Sequence, residues 1–353
     1  KGAWLADTDT TNVVGTELVT NGTFDTDTTG WTATAGDSIA VVSGQLQVTG
    51  DASGIGYAQQ TLTLEVGKTY SYSFYFATSS TNRYFRIGTA PTGGQMVNKE
   101  NTGIALDATT SGTFVATATT AYISVGCYIS QVGIFDNISV KLADSDRSVK
   151  ANGLQVNGTI TKTAVATGAE LVAYSGFSAS NYLEQPYNAD LDFGTGDFSI
   201  SCWFNTSNTS AYETLLDRTS ASGQIFLLRK TATSGTLLFN VSDGTTAKAL
   251  YTTQSIATGS WVSITAKRES GITSIFINGV ADGVNTTIIN SISDPDAKLY
   301  VGANSINTLP VVGSLALLRI SATAPTAAQI LEIYNAEKPL FQENAKCTLN
   351  GAS

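Results

Sequence analysis

The sequence contains no histidine, and this absence restricts its chemistry more than any other feature. Without an imidazole there is no Ser-His-Asp triad, no Cys-His pair and no histidine-based zinc site. A pair of carboxylates is the main hydrolytic arrangement that remains. Glu213 and Asp217 are four residues apart, which would place them on one face of a strand, but a single pair of this kind often arises by chance. We therefore expect a protein that binds its target and is not an enzyme.

Charged residues are scarce as well, at 13% of 353 residues, with 19 Lys or Arg against 28 Asp or Glu. A net charge of −9 without a basic stripe argues against nucleic-acid binding. No apolar run approaches the roughly 18 residues of a membrane-spanning helix, so we expect no membrane insertion. Cys127, Cys202 and Cys347 are an odd number without paired spacing, which argues against a disulfide framework.

Thr, Ser, Asn and Gly take the place of charge, and these residues favour strands and turns over helices. Residues 70–77 (YSYSFYFA) show the two-residue period of a strand, with Tyr70, Tyr72, Phe74 and Phe76 on one face. Hydrophobic residues make up 42% of the chain, enough for sizeable cores. The length favours two domains. The sequence therefore predicts an all-β chain of two β-sandwich (jelly-roll) domains in tandem.

Two short motifs bracket the first module: LVTNGTFD at residues 18–25 and FDNISV at residues 135–140. They resemble the opening and closing strands of carbohydrate-binding jelly rolls of family 4/9. The resemblance implies a structural Ca²⁺ held by Asp25 and Asp136, with help from the carbonyl of Thr23. Hard oxygen ligands from distant segments would tie the terminal strands together. The alternative is two surface acids in turns.

Sugar binding requires aromatic faces that stack on pyranose rings and polar groups that reach the hydroxyls. In the first module the carbohydrate-binding candidates are Trp31, Tyr57, Tyr84, Arg86 and Tyr128. Arg83 and Arg86 flank Tyr84 and predict an exposed surface there, and an arginine could pair with acidic sugars. The alternative to sugar binding for Trp31, which follows a glycine, is a position in the core.

The second module carries the blocks NYLEQPY (181–187), DFGTGDFSISCWF (192–204), GSWVSITAKR (259–268), IFINGV (275–280) and LYVGAN (299–304). Their order resembles that of a concanavalin-A-like (laminin-G or pentraxin-like) sandwich. Residues 325–338 predict one short helix after the sandwich, with Ile330, Ile333 and Tyr334 on one face. Tyr187, Tyr212 and Tyr251 lie near expected loops and are further aromatic candidates, whereas Trp203 and Trp261 are expected in the core.

We therefore divide the chain into an opening segment (1–14), the first module (15–142), a β-rich linker (143–176), the second module (177–340) and the start of a further unit (341–353). Trp4 and Leu5 are expected to pack on a neighbouring chain or on a missing upstream domain. Inside the linker, GLQVNGTITK (153–162) predicts a hairpin around Asn157-Gly158. So short a hairpin cannot bury its apolar face alone, so it must pack on a domain or interleave with copies of itself; the second option makes the linker a candidate trimerisation segment.

The run from residue 153 into the second module, and PLFQEN at 339–344, resemble segments of bacteriophage tail fibres. This resemblance implies a homotrimeric virion protein, outside the cell, that contacts other virion proteins and displays glycan-binding modules to the host's surface polysaccharide. The alternatives are a purely structural virion component without glycan binding, and a glycan depolymerase or bacterial surface lectin.

Overall fold

The computed structural model describes residues 2–77, 82–256 and 258–347. The described chain divides into two compact units, and both are built almost entirely of strands, which confirms the predicted all-β class. Residues 16–143 form the N-terminal sandwich, and residues 2–15 together with 144–347 form the C-terminal sandwich. The N-terminal sandwich is thus an insertion in the sequence of the other unit, because residues on both sides of it belong to that unit.

The first two strands belong to the C-terminal sandwich, and the next ten build the N-terminal one. They are β1 (Gly2–Trp4), β2 (Val13–Gly15), β3 (Thr32–Ala33), β4 (Ser38–Val42), β5 (Gln45–Thr49), β6 (Gly56–Thr63), β7 (Thr69–Ala77), β8 (Arg83–Gly88), β9 (Val97–Glu100), β10 (Ala108–Val115), β11 (Thr120–Cys127) and β12 (Val132–Asp144). In the N-terminal sandwich one antiparallel sheet has the order β3-β6-β11-β8-β9. The second sheet has the order β4-β5-β12-β7-β10.

The core of the N-terminal sandwich lies between these sheets and is rich in aromatic side chains. Tyr70, Tyr72, Phe74 and Phe76 of β7 all point into it and are at most 4% exposed, as the strand period predicts. Phe74 stacks on Phe85 of the facing sheet with ring centroids 4.0 Å apart. Aromatic pairs of this kind join the two layers by large buried area.

The opening motif of the first module is irregular where the sequence predicts a strand. Phe24 has a φ of +49°, in the left-handed region that interrupts extended backbone. Two hydrogen bonds still join this segment to β12: Leu18 N–H donates to Val140 O at 3.0 Å, and Ile138 N–H donates to Gly22 O at 2.9 Å. The predicted contact between the two ends of the module is therefore present, but no regular strand carries it.

The remaining strands build the C-terminal sandwich. They are β13 (Leu154–Ala164), β14 (Val172–Ser175), β15 (Tyr182–Gln185), β16 (Phe198–Thr206), β17 (Glu213–Ser220), β18 (Gly223–Lys230), β19 (Thr236–Ser242), β20 (Ala247–Ser255), β21 (Val262–Glu269), β22 (Ile272–Ile277), β23 (Val280–Thr287), β24 (Lys298–Val301) and β25 (Gly313–Ser321). One sheet has the order β13-β15-β24-β17-β18-β19-β20. The other runs β1-β25-β16-β21-β22-β23.

The opening segment packs inside its own chain, which corrects the expected contact with another chain or domain. Strand β1 pairs with β25, and Trp4 is fully buried in the core of the C-terminal sandwich. The indole Nε1 of Trp4 donates to Asn152 O at 2.8 Å. Leu5, also fully buried, donates its N–H to Asp144 Oδ2 at 3.0 Å. Burial of these two large side chains is the physical reason why residues 2–15 are held there.

The expected hairpin in the linker is instead one continuous strand, β13. Its three segments pair with β15, β2 and β14 in turn, so its polar backbone groups find partners within the chain. Gly158 sits mid-strand with a φ of +66°, and a Cβ there would lie 2.1 Å from Asn181 Oδ1. The Asn-Gly pair therefore marks a close approach of two backbone segments. Because β13 is fully integrated, it no longer argues for a trimer.

The predicted helix is α1 (Ala327–Glu337), which begins after Thr326 in a capping box with Gln329. Ile330 is buried, whereas Ile333 on the same helix face is 41% exposed. Short 3₁₀ turns lie at Asn101–Gly103, Ala189–Leu191 and Lys338–Phe341. Of the helices in the described ranges, none has the length and apolar character needed to cross a membrane.

The start of the expected further unit belongs to the C-terminal sandwich. Phe341 lies 4.1 Å from Trp203 and 4.9 Å from Trp261 between ring centroids. The Trp203 indole also donates to Glu337 Oε2 at 2.6 Å. The described part of the tail, up to Cys347, is therefore held by aromatic stacking, and residues 348–353 lie outside the described residues.

Candidate functional site

One sheet face of the N-terminal sandwich gathers polar and aromatic side chains. In β6, β8 and β11 every second side chain enters the core, among them Ala58, Phe85 and Val125. The alternate positions point to the opposite side of the sheet. We call this side the polar face; its central members are Tyr57, Gln59, Tyr84, Arg86, Tyr122 and Ser124.

Strand register sets the spacing of the polar face. Gly126 of β11 lies directly between Tyr57 of β6 and Tyr84 of β8, whose ring centroids are 6.0 Å apart. A Cβ on Gly126 would come within 2.5 Å of the Tyr57 ring. The glycine is therefore needed for the two tyrosines to approach each other across the middle strand.

Arg86 covers both tyrosines, with its Cζ 5.5 Å from the Tyr57 centroid and 5.2 Å from the Tyr84 centroid. Its nitrogens are already engaged: Nε donates to Asn98 Oδ1 at 3.0 Å, Nη1 to the Thr92 carbonyl at 3.2 Å and Nη2 to Glu100 Oε1 at 2.6 Å. The guanidinium has its counter-ion within the chain. This geometry does not fit the predicted pairing of Arg86 with an acidic sugar.

Three buried oxygens of the polar face have no hydrogen-bond partner among the described residues: Tyr57 Oη, Gln59 Oε1 and Ser124 Oγ. They lie on two adjacent strands, with Ser124 directly opposite Gln59. Burial raises the pKa of Tyr57 to about 12, so its hydroxyl stays protonated and can donate or accept. Buried polar groups are nearly always paired, so three such oxygens on one sheet face are unusual.

A groove of about 380 Å³ lies at the β3 side of the polar face. It is lined by Gly30, Thr32, Gln59, Gln60, Thr61 and Tyr122. Gln59, one of the residues with an orphan oxygen, joins this groove to the central cluster. The groove is about as large as the smaller pockets that hold small-molecule ligands.

The sequence-predicted sugar-binding residues lie in different environments. Tyr57, Tyr84 and Arg86 form one cluster on the polar face, and Tyr128 lies just beyond β11, 40% exposed. Tyr84 is only 7% exposed, so the flanking arginines do not mark the exposed surface that the sequence suggested. Trp31 is 6% exposed in the core, where Nε1 donates to Thr20 O at 3.0 Å, so its stacking role is wrong.

Sequence reasoning missed Gln59, Tyr122 and Ser124. Alternation of polar and apolar residues in β6 and β11 is a signal that places them on the outer side of the sheet. That signal does not separate a functional polar residue from an ordinary surface one. Only the missing partners of Gln59 Oε1 and Ser124 Oγ make that distinction.

The predicted calcium ligands Asp25 and Asp136 lie close enough for the charge of one to affect the other. The pKa of Asp136 is raised, first by burial and in smaller part by the Asp25 charge. Thr23 Oγ1 donates to Asp25 Oδ2 at 2.8 Å, and Asn137 N–H donates to Asp136 Oδ1 at 2.7 Å. Across the described residues, no cluster of three or more His, Cys, Asp or Glu forms a metal-ion site. Two neighbouring carboxylates match a hard cation in charge.

The paired carboxylates of the second module do not act together. Glu213 is fully buried in an ion pair with Lys230, with Glu213 Oε2 and Lys230 Nζ 3.0 Å apart. Asp217 instead accepts hydrogen bonds from Gln224 Nε2 and Ser305 N–H, each at 3.1 Å. A register shift in β17 between residues 214 and 216 breaks the alternation that would place the two acids on one face.

Residues 177–331 match the sequence model of the Concanavalin A-like lectin/glucanases superfamily. The C-terminal sandwich therefore carries a domain with the jelly-roll fold of that superfamily, as the order of sequence blocks predicted. The match leaves the N-terminal sandwich, with its polar face, outside its range. No curated protein matches the chain in sequence.

Several solved structures are similar to this chain. Domain 4 of AbnA, a GH43 extracellular arabinanase from Geobacillus stearothermophilus solved with arabinotriose, is 18% identical (TM-score 0.45), with 54% of this chain and 92% of that domain covered. The binding domain of Paraclostridial Mosquitocidal Protein 1 is 15% identical (TM-score 0.45), with 55% of this chain and 49% of that one covered. The chain thus spans about half of that binding domain. A SAP-like pentraxin from Limulus polyphemus is 14% identical (TM-score 0.34), with 42% and 79% covered.

Proposed function

We propose that the protein binds carbohydrate through the polar face of the N-terminal sandwich. The observation that carries the proposal is the trio of buried, unpartnered oxygens on Tyr57, Gln59 and Ser124. A buried polar group left unsatisfied costs roughly 1–3 kcal/mol, so ligand hydroxyls that occupy these positions recover that cost on binding. The lectin-like fold of the other sandwich supports a glycan-related role in general terms.

The chemistry of the polar face favours an uncharged sugar. The hydroxyls of Tyr57 and Ser124 can donate hydrogen bonds to sugar hydroxyls or accept them. The amide oxygen of Gln59 can only accept. The one cation of the cluster, Arg86, is neutralised by Glu100 at 2.6 Å. An acidic sugar would therefore meet no free positive charge there. Tyr128, at the end of β11, is exposed enough to stack on a sugar ring.

The biological setting we propose is a phage tail fibre or another virion appendage outside the cell, attached to other virion proteins and directed at host surface polysaccharide. Its support is the resemblance of residues 153–183 and 339–344 to tail-fibre segments. We also propose a homotrimer on that resemblance. Light scattering of the full chain is expected to give three times the 36.8 kDa chain mass, and a monomer would contradict the proposal.

We propose further that the chain binds without cleaving, and that a structural Ca²⁺ joins Asp25 to Asp136. The ion would offset the repulsion between the two carboxylates and fasten the opening segment to β12. The ion would stabilise the fold and take no part in binding at the polar face.

The test is binding of the full chain to a panel of immobilised neutral and acidic bacterial envelope polysaccharides, with and without EDTA. Ser124→Ala removes one orphan oxygen, and we expect about two- to twelvefold weaker binding, the value of one net hydrogen bond. Ser53→Ala is the matched control, since Ser53 lies in an exposed loop and bonds only to Asp51. Equal binding of both variants would place the site elsewhere.

Two other outcomes would support the alternatives. A folded chain that binds nothing on the panel would favour a purely structural virion component. Release of reducing ends from a polysaccharide would favour a depolymerase.

A further inference from the structure

The C-terminal sandwich has a second cluster of aromatic and charged side chains, separate in sequence from the polar face. In β18, Phe226 and Leu228 enter the core, so Arg229 points to the outer side of the seven-stranded sheet. Arg229 lies opposite Leu238 of β19, which lies opposite Tyr251 of β20. On its other side Arg229 pairs with Thr214 of β17. Four adjacent strands therefore present one row across the sheet.

Two tyrosines flank this arginine and are open to solvent. Tyr212, just before β17, is 47% exposed and its ring centroid lies 5.8 Å from the Arg229 Cζ. Tyr251 is 53% exposed and stands two strands away, about 10 Å by the usual strand spacing. Leu238 lies between Arg229 and Tyr251 in this row.

The guanidinium of Arg229 makes fewer hydrogen bonds than that of Arg86. Its Nε donates to Thr214 Oγ1 at 3.3 Å, and within the described ranges neither Nη1 nor Nη2 has a hydrogen-bond partner. No carboxylate of the described chain lies within ion-pair distance of it. The carboxylate whose charge it feels most, Asp217, is bonded to Gln224 and Ser305. Burial lowers the pKa of Arg229 by desolvating the cation, and the charge of Asp217 offsets this only in part.

A half-buried guanidinium with two free parallel nitrogens is suited to bidentate contact with a planar anion. The tyrosine faces on either side suit the C–H surface of a pyranose ring. We propose that this row is a second binding site, which takes an acidic polysaccharide with its carboxylate or sulfate on Arg229 and its sugar ring on Tyr212 or Tyr251. This site is independent of the polar face, and its preference for charged sugars is opposite to that of the polar face.

The test compares the full chain with Arg229→Gln for binding to polygalacturonate, dextran sulfate and neutral dextran. Arg229→Gln is expected to weaken binding to the acidic polymers by about tenfold or more, because a bidentate charged contact is lost. Arg229→Lys keeps the charge but not the fork, and is expected to retain only part of the affinity. Tyr251→Ala should weaken binding severalfold. The polymer on which Arg229→Gln acts, the carboxylated or the sulfated one, identifies the anion.

Arg319→Gln is the matched control. It removes the same unit of charge from the other sheet of the same sandwich, where Arg319 pairs with Glu337. Equal losses of affinity in the two variants would mean that the effect is long-range electrostatics, and would overturn the proposal. A native chain that binds neither acidic polymer would also overturn it. Thermal unfolding should change little with Arg229→Gln, because the variant loses only the 3.3 Å bond from Nε to Thr214 Oγ1 and the contact with the Tyr212 ring among the described residues. Ser124→Ala should leave these affinities unchanged, which separates this test from that of the polar face.

Discussion

Replacing Tyr57 by phenylalanine is expected to stabilise the N-terminal sandwich and at the same time to weaken ligand binding. The Tyr57 hydroxyl is buried without a partner in the described part of the chain, so it loses its hydration on folding and gains no hydrogen bond there in return. Removing a group of this kind takes away a desolvation penalty of roughly 1–3 kcal/mol. The ring itself, packed against Tyr84 and Arg86, keeps its contacts in the variant.

We expect the free energy of unfolding to rise by about 1 kcal/mol in Tyr57→Phe, the lower end of that penalty. The gain is limited because the surrounding side chains adjust only in part to the space that the hydroxyl leaves. For a sandwich of this size, that corresponds to a melting temperature higher by roughly 3–5 °C. Polysaccharide binding should fall by about two- to twelvefold, the value of one net hydrogen bond. Amide hydrogen exchange of the full chain, measured on peptides from β6 and β11, reports the stability of this sandwich separately.

Tyr70→Phe is the matched control, because Tyr70 is as buried as Tyr57, at 4% exposure, in the same sandwich. Its hydroxyl accepts a hydrogen bond from the Glu65 N–H at 2.9 Å, so the variant should lose about 1 kcal/mol or more and leave ligand binding unchanged. The reasoning is refuted if Tyr57→Phe destabilises the sandwich as much as Tyr70→Phe does. That result would mean that the Tyr57 hydroxyl has a partner in the folded chain.

Three further predictions concern buried or neighbouring charges. Glu213→Gln should lower the free energy of unfolding by about 3–5 kcal/mol in urea titrations, because Lys230 is left as an unpaired buried cation; a loss below about 1 kcal/mol would mean that water reaches Lys230. Burial raises the pKa of the enclosed Asp144 despite its hydrogen bonds, so the folded chain binds this proton more tightly than the unfolded one. Relative to Asp144→Asn, the native chain should be most stable below about pH 4 and lose that advantage as the pH rises toward the folded pKa; a difference independent of pH would contradict this. Added Ca²⁺ should raise the melting temperature of the native chain, and Asp25→Asn with Asp136→Asn should abolish the gain; the same gain in that double variant would exclude these two acids as ligands.

Local patterns predicted the regular parts of the fold well. The alternation in β7 depends only on neighbouring residues, and Tyr70 and Phe74 point where it requires. The helical pattern of residues 325–338 located helix α1 (Ala327–Glu337) to within two residues at each end. The exposure of Ile333 could not be predicted, because helical spacing defines a face but not how wide a strip of that face the sheet covers.

Residue type identified part of the candidate site. Tyr57 and Tyr84 were found because sugar recognition favours aromatic rings, and they do lie together on the polar face. Whether a polar group is satisfied depends on strands distant in sequence, so the orphan Ser124 oxygen and the neutralised Arg86 could not be predicted. Glu100, from β9, neutralises the charge of Arg86, and no residue near position 86 in the sequence predicts this ion pair.

The sequence by itself determined the all-β class, the two sandwiches and the lectin-like order of blocks in the second, because strand period, turn residues and composition act locally. Tertiary structure alone decided that residues 2–15 complete the C-terminal sandwich, since burial of Trp4 depends on strands more than a hundred residues away. It also decided which arginine is free to bind an anion. Arg86 and Arg229 occupy similar strand positions, but only one of them is met by a carboxylate when the sheets form.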